Sequence, residues 1–513
     1  MVSLTRRSAL SAIIGGAVSG QTRHRTSPNV LFIAVDDLRP ELGIYGASHA
    51  HTPHLDALGR SGVTFTKAYC QQAVCNPSRA SVLTGLRPDT LRVWDLDTGF
   101  RSTTPQAVTL PQRLRQQGYF ATAMGKIFHN TLPDPASWSE PELRLPGYPF
   151  DPDAVYRSAS ETAWIAGRQR ELTAQGVQQR YIDQYGEWYL KAAATEAPDL
   201  PDNAYFDGAQ TDQAIAKLKQ LEARRQPFFL GVGYYRPHLP FNVPAKYWRL
   251  YDRARLPLAP NPALPINAPP MALNTIRELR GYRDFREAPQ PDQGSLTEAQ
   301  ARLLRHGYLA SVSYVDAQVG RLLNALDRAR LAENTVVVLW GDNGWKLGEH
   351  NGWCKMTNFE MDTRVPLIIR APGVKGAVCH RLVELVDIYP TVCELAGLPP
   401  EPQLEGRSLL PLMKSPARPW KSAVFSQFLR SGVWSAADGE EYMGYCVRTV
   451  THRYVEWVDW KRKTVVAHEL YDLQRDPLEN NNIFQRPGTE AVAAQLERQL
   501  RSGWRTAVPA DAR

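Results

Sequence analysis

The sequence predicts an α/β fold, in which a mostly parallel β-sheet is covered by helices on both faces. Uninterrupted apolar runs, which are typical of strands buried on both sides of such a sheet, occupy residues 29–35, 228–234, 335–340 and 366–370. Ahead of the third run, apolar residues recur at three- and four-residue intervals between Leu303 and Leu326, which predicts one long amphipathic helix. Strands that alternate with helices along the chain therefore predict this class of fold.

A smaller α+β domain is predicted at the C-terminal end. Beyond Pro411 the pattern changes to short paired strands, which indicate an antiparallel sheet, and to a final amphipathic helix over residues 490–504. We therefore divide the 513 residues into a large α/β domain at 28–415 and a small α+β domain at 416–513. Two irregular stretches, 133–201 and 257–293, are expected to form insertions around a cleft.

The composition is that of a globular protein, with 43% hydrophobic and 22% charged residues. No apolar stretch is long enough to span a membrane, and no basic run is long enough to suggest nucleic acid as a partner. The net charge of +8 is modest. It is compatible with a solubilising surface and with attraction to an anionic substrate.

The N-terminus has the pattern of an export leader. Arg6 and Arg7 precede an uncharged stretch rich in alanine, glycine and isoleucine, which indicates the twin-arginine route and a periplasmic or extracellular protein. A disordered tail is the alternative. We exclude residues 1–27 from the fold. The six cysteines show no metal-binding CxxC spacing, and most are expected to be buried and free.

Polar residues follow two of the predicted strands directly. Asp36 and Asp37 come after the first strand, and Asp342 and Asn343 follow the strand that ends at Trp340. Ligands in open α/β sheets bind beyond the carboxyl ends of the strands. Three carboxylates and one amide oxygen would make a site suited to Ca²⁺, or less readily to Mg²⁺. For either pair alone, a helix cap or turn is the simpler interpretation.

A cysteine is predicted to lie at a helix N-terminus. In the segment Cys-Asn-Pro-Ser-Arg at residues 75–79, Asn76 is a suitable N-cap and Pro77 a suitable first helical residue. Cys75 would then face backbone N–H groups that favour an anion.

Four cationic or titratable residues are candidates for the same site. Lys126 and His129 would lie one turn apart if their segment is helical. His238 comes shortly after the second predicted strand, and Lys355 follows the proposed metal ligands. Each of them taken singly is more often structural than catalytic.

The residues 75–79, followed by Leu-Thr-Gly at 83–85, resemble the signature of the type I formylglycine-dependent sulfatases. The resemblance extends along nearly the whole chain and is strongest to the iduronate-2-sulfatase subfamily. The supporting segments are residues 35–40, 71–75, 232–238, 310–323, 344–350 and 443–449. It implies an alkaline-phosphatase-like fold and a formylglycine at position 75, made from the cysteine by a formylglycine-generating enzyme.

The resemblance also implies the metal site. The residues that match the metal ligands of the family are Asp36, Asp37, Asp342 and Asn343, with the modified Cys75 side chain as a fifth ligand. The iduronate-2-sulfatase subfamily has histidine where this chain has Asn343, whereas many other sulfatases have asparagine.

Five further positions match catalytic residues of the family. Arg79 and Lys126 would stabilise the hydrated formylglycine and its sulfated form. His238 and Lys355 would bind the sulfate and assist the departure of the alcohol. His129 would take the proton that allows sulfate to leave.

The resemblance implies an exo-acting enzyme that removes sulfate from a sulfated uronic acid or related sugar of an anionic glycan. Lys355 is suited to pair with a sugar carboxylate as well as with sulfate. Trp94 and Trp345 are candidates for stacking on a sugar face, and buried packing is the alternative for both. Asp97 is also a candidate for substrate binding, because the resemblance implies that its loop, residues 93–97, borders the sugar. This loop differs from that of the subfamily, and the charge of Asp97 would repel an anionic sugar.

Two other functions are compatible with these residues. One is a phosphatase or phosphonate hydrolase of the alkaline-phosphatase superfamily. The other is a catalytically silent glycan-binding protein, which would result if Cys75 stayed unmodified.

Overall fold

A computed structural model describes residues 27–508, except for residue 131, residues 146–154, 181–189, residue 400 and residues 433–438. The leader predicted for residues 1–27 lies outside the described residues, apart from Ser27. Within the described part of the chain, no helix combines the length and the apolar character needed to cross a membrane.

The strands of the described residues are numbered β1 to β15 in chain order. Their bounds are β1 Asn29–Val35, β2 Val63–Tyr69, β3 Phe120–Gly125, β4 Thr195–Glu196, β5 Phe228–Tyr234, β6 Phe241–Asn242, β7 Thr335–Gly341, β8 Lys346–Leu347, β9 Trp353–Cys354, β10 Arg364–Arg370, β11 Ala377–Glu384, β12 Ala423–Arg430, β13 Tyr442–Thr449, β14 His452–Asp459 and β15 Val465–Asp472. The longer helices are Pro53–Ser61, Cys75–Thr84, Leu110–Gln116, Ala159–Ala174, Phe206–Arg224, Glu298–Arg328, Ile388–Leu395 and Glu490–Ser502. Shorter helices are Pro88–Leu91, Phe100–Thr103, Ala245–Trp248, Arg277–Arg280, Glu360–Thr363, Leu410–Lys414 and Trp504–Ala507.

The main sheet has seven strands in the order β11-β2-β10-β7-β1-β5-β3. All neighbouring pairs are parallel except the two that involve β10, which runs antiparallel to β2 and β7. The prediction of a mostly parallel sheet is therefore confirmed. The apolar run at residues 366–370 forms part of β10, the antiparallel strand. An apolar run indicates burial on both faces of the sheet but carries no information about strand direction.

Helices cover both faces of the main sheet, as predicted. Alternate residues of a strand point to opposite faces, so Phe32 and Ile33 of β1 belong to different core clusters. Helices Cys75–Thr84 and Ile388–Leu395 pack on the first cluster. The predicted long helix, Glu298–Arg328, packs on the second.

The C-terminal part contains an antiparallel sheet in the order β12-β13-β14-β15. Helix Glu490–Ser502 packs on one side of it through Leu496. The other side packs through Trp457 against Val74 and Met356, which belong to segments of the large α/β region. The predicted combination of a large α/β part and a smaller α+β part is thus confirmed. The domain boundary at residues 415/416 stays a prediction.

Candidate active site

Two strand ends meet at one edge of the main sheet. Val35, at the end of β1, lies in register with Gly341, at the end of the parallel neighbour β7. Asp36 and Asp342 therefore leave the sheet side by side, and the Asp37 backbone N–H donates to Asp342 Oδ1 at 3.0 Å. The structure thus brings both acidic segments to the carboxyl edge of the sheet, where ligands bind in this class of fold.

The side chains of these segments form a fully buried oxygen cluster. Asp36, Asp37, Asp342 and Asn343 are all inaccessible to solvent. Asp37 Oδ2 and Asn343 Oδ1 have no hydrogen-bond partner among the described residues. Ligand atoms of Asp36, Cys75 and Asp342 lie within 4.8 Å of one another. Buried oxygens without a partner are costly, and this set of donors fits a hard cation such as Ca²⁺ or Mg²⁺.

The helix that carries the cysteine begins at Cys75, two residues earlier than the expected start at Pro77. The prediction that Asn76 caps this helix is wrong, because its side chain is used elsewhere. Asn76 Nδ2 donates to the backbone carbonyls of Asp95 and Thr98 at 2.8 and 2.9 Å. Cys75 does lie at the helix N-terminus, as predicted, and is only 2% exposed.

Two cations bind the carboxylates of Asp36 and Asp342. One is Arg79 in the Cys75 helix, and the other is Lys126, directly after β3. Arg79 donates from Nε to Asp342 Oδ2 at 2.7 Å and from Nη2 to Asp36 Oδ1 at 3.2 Å. Lys126 Nζ lies 2.6 Å from Asp36 Oδ2. All of these groups are buried, so their attraction is screened little by solvent. They fix Asp36 and Asp342 in place.

A third cation lies directly beside the cysteine. Lys355 Nζ donates to Asp37 Oδ1 and lies 3.4 Å from Cys75 Sγ, and the same sulfur lies 3.4 Å from Asp36 Oδ1. His238 Nε2 is 3.8 Å from Asp37 Oδ2. The structure therefore brings Lys355 and His238 to the same cluster as the acidic residues and Cys75.

The segment of Lys126 and His129 is not helical. Lys126 directly follows β3, and the chain bends through residues 126–128, so the two side chains are not related by a helical turn. Burial, followed by the nearby charge of Lys126, lowers the pKa of His129 well below its usual value. His129 Nδ1 is buried and has no hydrogen-bond partner among the described residues.

Opposing effects set the protonation of the buried acids. Burial acts to raise the pKa of Asp36, but the neighbouring cations, Lys126 first among them, hold that pKa well below its usual value. Burial raises the pKa of Asp37 to about 6, although Lys355 opposes the shift. Burial also raises the pKa of the Cys75 thiol well above its usual value. A buried neutral thiol is a weak nucleophile, so unmodified Cys75 is poorly suited to attack an ester.

The loop at residues 94–98 lies beside the Cys75 helix. Gln72 Nε2 donates to the Trp94 carbonyl at 2.6 Å, which adds to the two bonds from Asn76. The Trp94 ring is half-buried and packs edge-on against Trp460, which follows β14, with ring centroids 5.2 Å apart. Asp97 is exposed. Their contacts with a substrate stay a prediction.

Trp345 occupies a different environment from the one expected of a sugar-stacking residue. It is 1% exposed and belongs to the core. Lys355 Nζ lies 5.2 Å from its ring centroid, and the His238 ring lies 6.3 Å away. Because both faces of the ring are enclosed by protein, Trp345 supports these two side chains and offers no face to a sugar.

Sequence analysis missed Glu278, whose Oε1 lies 2.9 Å from His238 Nε2. Its carboxylate, Asp37 and His238 form a second group with ligand atoms within 4.8 Å. Glu278 lies in the irregular stretch at 257–293, in the short helix Arg277–Arg280, and no local pattern marks it. Only the fold brings it to the site.

A mostly parallel sheet thus places carboxylates, cations and a helix-terminal cysteine at its carboxyl edge, which is the alkaline-phosphatase-like fold that the resemblance implies. The chain belongs to the sulfatase family, whose model, described as Sulfatase, matches residues 28–398. A second model, described as N-sulphoglucosamine sulphohydrolase, C-terminal, matches residues 348–505. The protein is therefore a sulfuric ester hydrolase.

Two named sulfatases support this assignment, and a solved structure shares the fold. Iduronate 2-sulfatase of Mus musculus is 33% identical and covers 89% of this chain and 90% of its own length. Choline-sulfatase of Rhizobium meliloti is 29% identical over 90% of this chain and 83% of its own. The structure of a phosphonate monoester hydrolase from Silicibacter pomeroyi matches with a TM-score of 0.71 and 25% identity, over 94% of this chain and 96% of that one. The predicted resemblance to iduronate 2-sulfatase is confirmed.

Proposed function

We propose that this protein hydrolyses sulfate esters through a formylglycine made from Cys75 and one divalent metal ion, Ca²⁺ or Mg²⁺. The position of Cys75 carries the proposal. Its Sγ lies 3.4 Å from a proposed metal ligand, Asp36, and 3.4 Å from the ammonium group of Lys355, at the start of a buried helix. The helix N-terminus and the lysine would bind the sulfate group of a substrate, and the side chain of residue 75 would then lie next to it.

The residues around position 75 have roles that follow from their contacts. Once residue 75 is oxidised by a formylglycine-generating enzyme and hydrated, it would offer a hydroxyl as the nucleophile toward sulfur. Arg79 and Lys126 would stabilise negative charge on this side chain. His129, whose Nδ1 has no partner in the described structure, would accept the proton that accompanies sulfate release.

His238 and Lys355 would act on the other side of the substrate. Both lie at the Asp37 end of the cluster, where they would bind the sulfate oxygens and protonate the departing alcohol. Glu278 would hold His238 in orientation through its contact with Nε2. A metal ion held by Asp36, Asp37, Asp342 and Asn343, with residue 75, would supply positive charge against the charge that develops on the ester.

The proposed substrate is a sulfated uronic acid or related sugar at the end of an anionic glycan, from which the enzyme would work as an exo-sulfatase. The name of the mouse relative supports this choice, and that relative covers most of both chains. Asn343 and the exposed Asp97 depart from that subfamily, so a direct substrate comparison is the decisive test.

We expect kcat/KM for a 2-O-sulfated uronate disaccharide to exceed that for N-acetylglucosamine 6-sulfate by at least about tenfold, because a site that pairs with a carboxylate rejects a sugar without one. Sulfate release from both compounds, and from 4-nitrophenyl sulfate, would be measured with the same preparation. Faster turnover of the amino sugar or of the aryl sulfate would refute the uronate assignment and leave the sulfatase assignment intact.

Phosphonate ester hydrolysis is the second candidate function, because the Silicibacter structure shares the fold at 25% identity. Two-metal phosphatases gather several histidines around their metals. In the described residues, the candidate metal-binding groups include a single histidine, His238. This argues against a two-metal phosphatase, and an aryl phosphonate in the same substrate panel would compare sulfate ester and phosphonate ester hydrolysis directly.

We propose that the leader directs export through the twin-arginine route. Replacing Arg6 and Arg7 together by lysine should retain the protein in the cytoplasm, because that route distinguishes arginine from lysine at this position. Cell fractionation with detection of the chain would measure the effect. The matched control replaces Arg23 and Arg25, which lie beyond the uncharged stretch. Unchanged export of the Arg6/Arg7 variant would refute this route.

A further inference from the structure

The turn that follows β1 holds one proposed metal ligand in an unfavourable backbone conformation. Asp37 has a φ of 57°, in the left-handed region. Residues with a side chain disfavour this region, although aspartate adopts it more often than most. Asp37 is also inaccessible to solvent. Such a conformation persists only where the surrounding structure fixes it, so contacts that hold Asp37 are expected nearby.

The hydroxyl group of Tyr308 supplies such contacts. It donates to the Asp37 carbonyl oxygen at 2.8 Å and accepts from the Arg39 backbone N–H at 2.9 Å. The direction of both bonds is fixed, because a carbonyl oxygen can only accept and an amide N–H can only donate. Burial raises the pKa of Tyr308, which keeps the proton on the hydroxyl oxygen. The hydroxyl thus bridges the two ends of the turn at residues 37–39.

The conformation of Asp37 separates its carbonyl group from the groups that face the candidate metal site. Its N–H donates to Asp342 Oδ1 at 3.0 Å, and its carboxylate belongs to the buried oxygen cluster. Its carbonyl oxygen instead faces Tyr308. A change of this backbone conformation would therefore move one proposed metal ligand, the carboxylate of Asp37, relative to another, Asp342.

The same turn is tied to the segment that follows β7. Arg39 Nη1 donates to the Trp345 carbonyl at 3.1 Å, and Nη2 donates to Glu349 Oε1 at 2.9 Å. The Leu38 carbonyl packs closely on the end of β7, where a Cβ atom at Gly341 would lie 2.6 Å from its oxygen. Movement of the turn would therefore change the spacing of the two acidic segments.

Tyr308 is itself held firmly. It projects from helix Glu298–Arg328, is inaccessible to solvent, and packs edge-on against Phe241 with ring centroids 5.8 Å apart. One helical turn earlier, Arg305 pairs with Glu41, just beyond the turn at 37–39. The long helix therefore contacts this part of the chain at two points, and the hydroxyl has a fixed position from which to orient Asp37.

We propose that Tyr308 is a positioning residue of the metal site, which holds Asp37 in its left-handed conformation and thereby sets the affinity for the metal ion. Both hydrogen bonds of its hydroxyl go to backbone groups, so it acts on the metal only through Asp37. Groups that orient metal ligands commonly change the metal affinity by about 10- to 100-fold when they are lost. The inference rests on the proposed metal-dependent function and extends it to a residue outside the ligand set.

The first test uses the wild-type protein and needs no variant. Hydrogen exchange of the Arg39 amide would be measured in Ca²⁺-loaded and EDTA-treated protein by mass spectrometry with residue-level fragmentation. The Gly208 amide is the internal reference, because it donates to the Tyr314 hydroxyl at 2.6 Å. Since Tyr308 holds the turn without the metal, we expect the ratio of the two exchange rates to change by less than about threefold. A larger relative increase for Arg39 after metal removal would overturn the proposal.

The second test compares Y308F with Y314F. Tyr314 lies in the same helix and is equally buried, and its hydroxyl also bridges two backbone groups, the Gly208 N–H and the Asp202 carbonyl, at 2.6 and 2.9 Å. By calorimetric titration of EDTA-treated protein with Ca²⁺, and in parallel with Mg²⁺, we expect Y308F to raise the Kd by about 10- to 100-fold and Y314F to leave it within about threefold.

Activity at saturating metal provides a further readout for Y308F. The carboxylate of Asp37 is still present in this variant, so excess Ca²⁺ or Mg²⁺ should restore kcat for 4-nitrophenyl sulfate to within about threefold of the wild-type value. A kcat that stays low at saturating metal would overturn the assignment, because a residue that acts only through metal affinity is compensated by more metal.

The outcomes separate this inference from the function on which it rests. Equal Kd values for Y308F and the wild type would overturn the role of Tyr308. A wild-type protein that binds neither Ca²⁺ nor Mg²⁺ would refute the proposed metal site instead. A protein that binds the metal but releases sulfate from no substrate would refute the proposed sulfatase mechanism. If Y308F fails to fold, the exchange experiment on the wild type decides the question.

Discussion

Cys75→Ser is expected to lower kcat for sulfate ester hydrolysis on the order of 10⁴-fold or more, since it removes the nucleophile. A serine hydroxyl cannot replace a hydrated aldehyde. The fold should persist because Cys75 Sγ makes only long contacts of 3.4 Å with Asp36 and Lys355. Initial rates with an aryl sulfate and with a 2-O-sulfated uronate would measure the loss, and thermal unfolding would verify the fold.

The control for this variant is Cys393→Ser, which places the same change in helix Ile388–Leu395, within the core cluster on one face of the main sheet. It should lower the thermal stability and leave kcat close to the wild-type value. The host must lack an enzyme that oxidises serine. Mass spectrometry of the wild-type peptide with residue 75 should reveal an aldehyde. Wild-type rates from Cys75→Ser, or a fully active protein with an intact thiol, would contradict the formylglycine mechanism.

Asp342→Asn is expected to remove the bound metal and to lower kcat/KM by roughly 10³-fold, because the charge of a metal supplies several kcal/mol of stabilisation to such a transition state. The substitution keeps the shape of the side chain but removes a negative charge that also pairs with Arg79 at 2.7 Å. Elemental analysis would give the metal content per chain, and sulfate release would give the activity.

Asp316→Asn is the matched control, because Asp316 is also a buried carboxylate. It lies in helix Glu298–Arg328 and accepts bonds from the backbone N–H groups of His54 and Leu55, at 3.0 and 2.7 Å. This variant should retain the metal content and activity of the wild type. Full activity of a chelated wild-type sample with no detectable metal would contradict the proposal of a metal-dependent enzyme.

The part of the site that follows strand ends could be predicted from the sequence. Apolar runs locate β1 and β7, and the polar residues directly after them had to meet at one edge once the two strands were parallel neighbours. The register of Val35 with Gly341 realises this arrangement. Local sequence was therefore sufficient for Asp36, Asp37, Asp342 and Asn343, since their positions depend on the strands alone.

Side-chain partners could not be predicted in the same way. Asn76 has the preferences of an N-cap, yet it binds the carbonyls of Asp95 and Thr98, which lie some twenty residues further along the chain. Trp345 follows the turn that holds the proposed metal ligands Asp342 and Asn343, but tertiary packing encloses it beneath Lys355. Propensities describe a residue and its neighbours in sequence, whereas these contacts arise from segments that meet only in the folded chain.

Glu278 and Arg430 illustrate the same limit more strongly. Glu278 comes from an irregular segment, and Arg430, whose guanidinium donates to the Met356 carbonyl at 3.2 Å, comes from the last position of a strand in the C-terminal sheet. Neither belongs to a periodic pattern or a short motif. Glu278 is brought to the site by the path of an irregular segment, and the position of Arg430 depends on how the C-terminal sheet packs on the α/β region, which the sequence indicates only as a change of pattern after Pro411.

The burial of Cys75 has a consequence for the biogenesis of the enzyme. Only 2% of Cys75 is exposed, and the adjacent Asn76 is bonded to the loop at 94–98, so an oxidising enzyme could not enclose the thiol of the folded protein. Under the proposed mechanism, oxidation of Cys75 must therefore occur before the chain folds, and every molecule that folds first stays inactive. If the protein is exported in the folded state, the oxidation has to take place in the cytoplasm. Rapid synthesis should then yield abundant, well-folded protein of low specific activity.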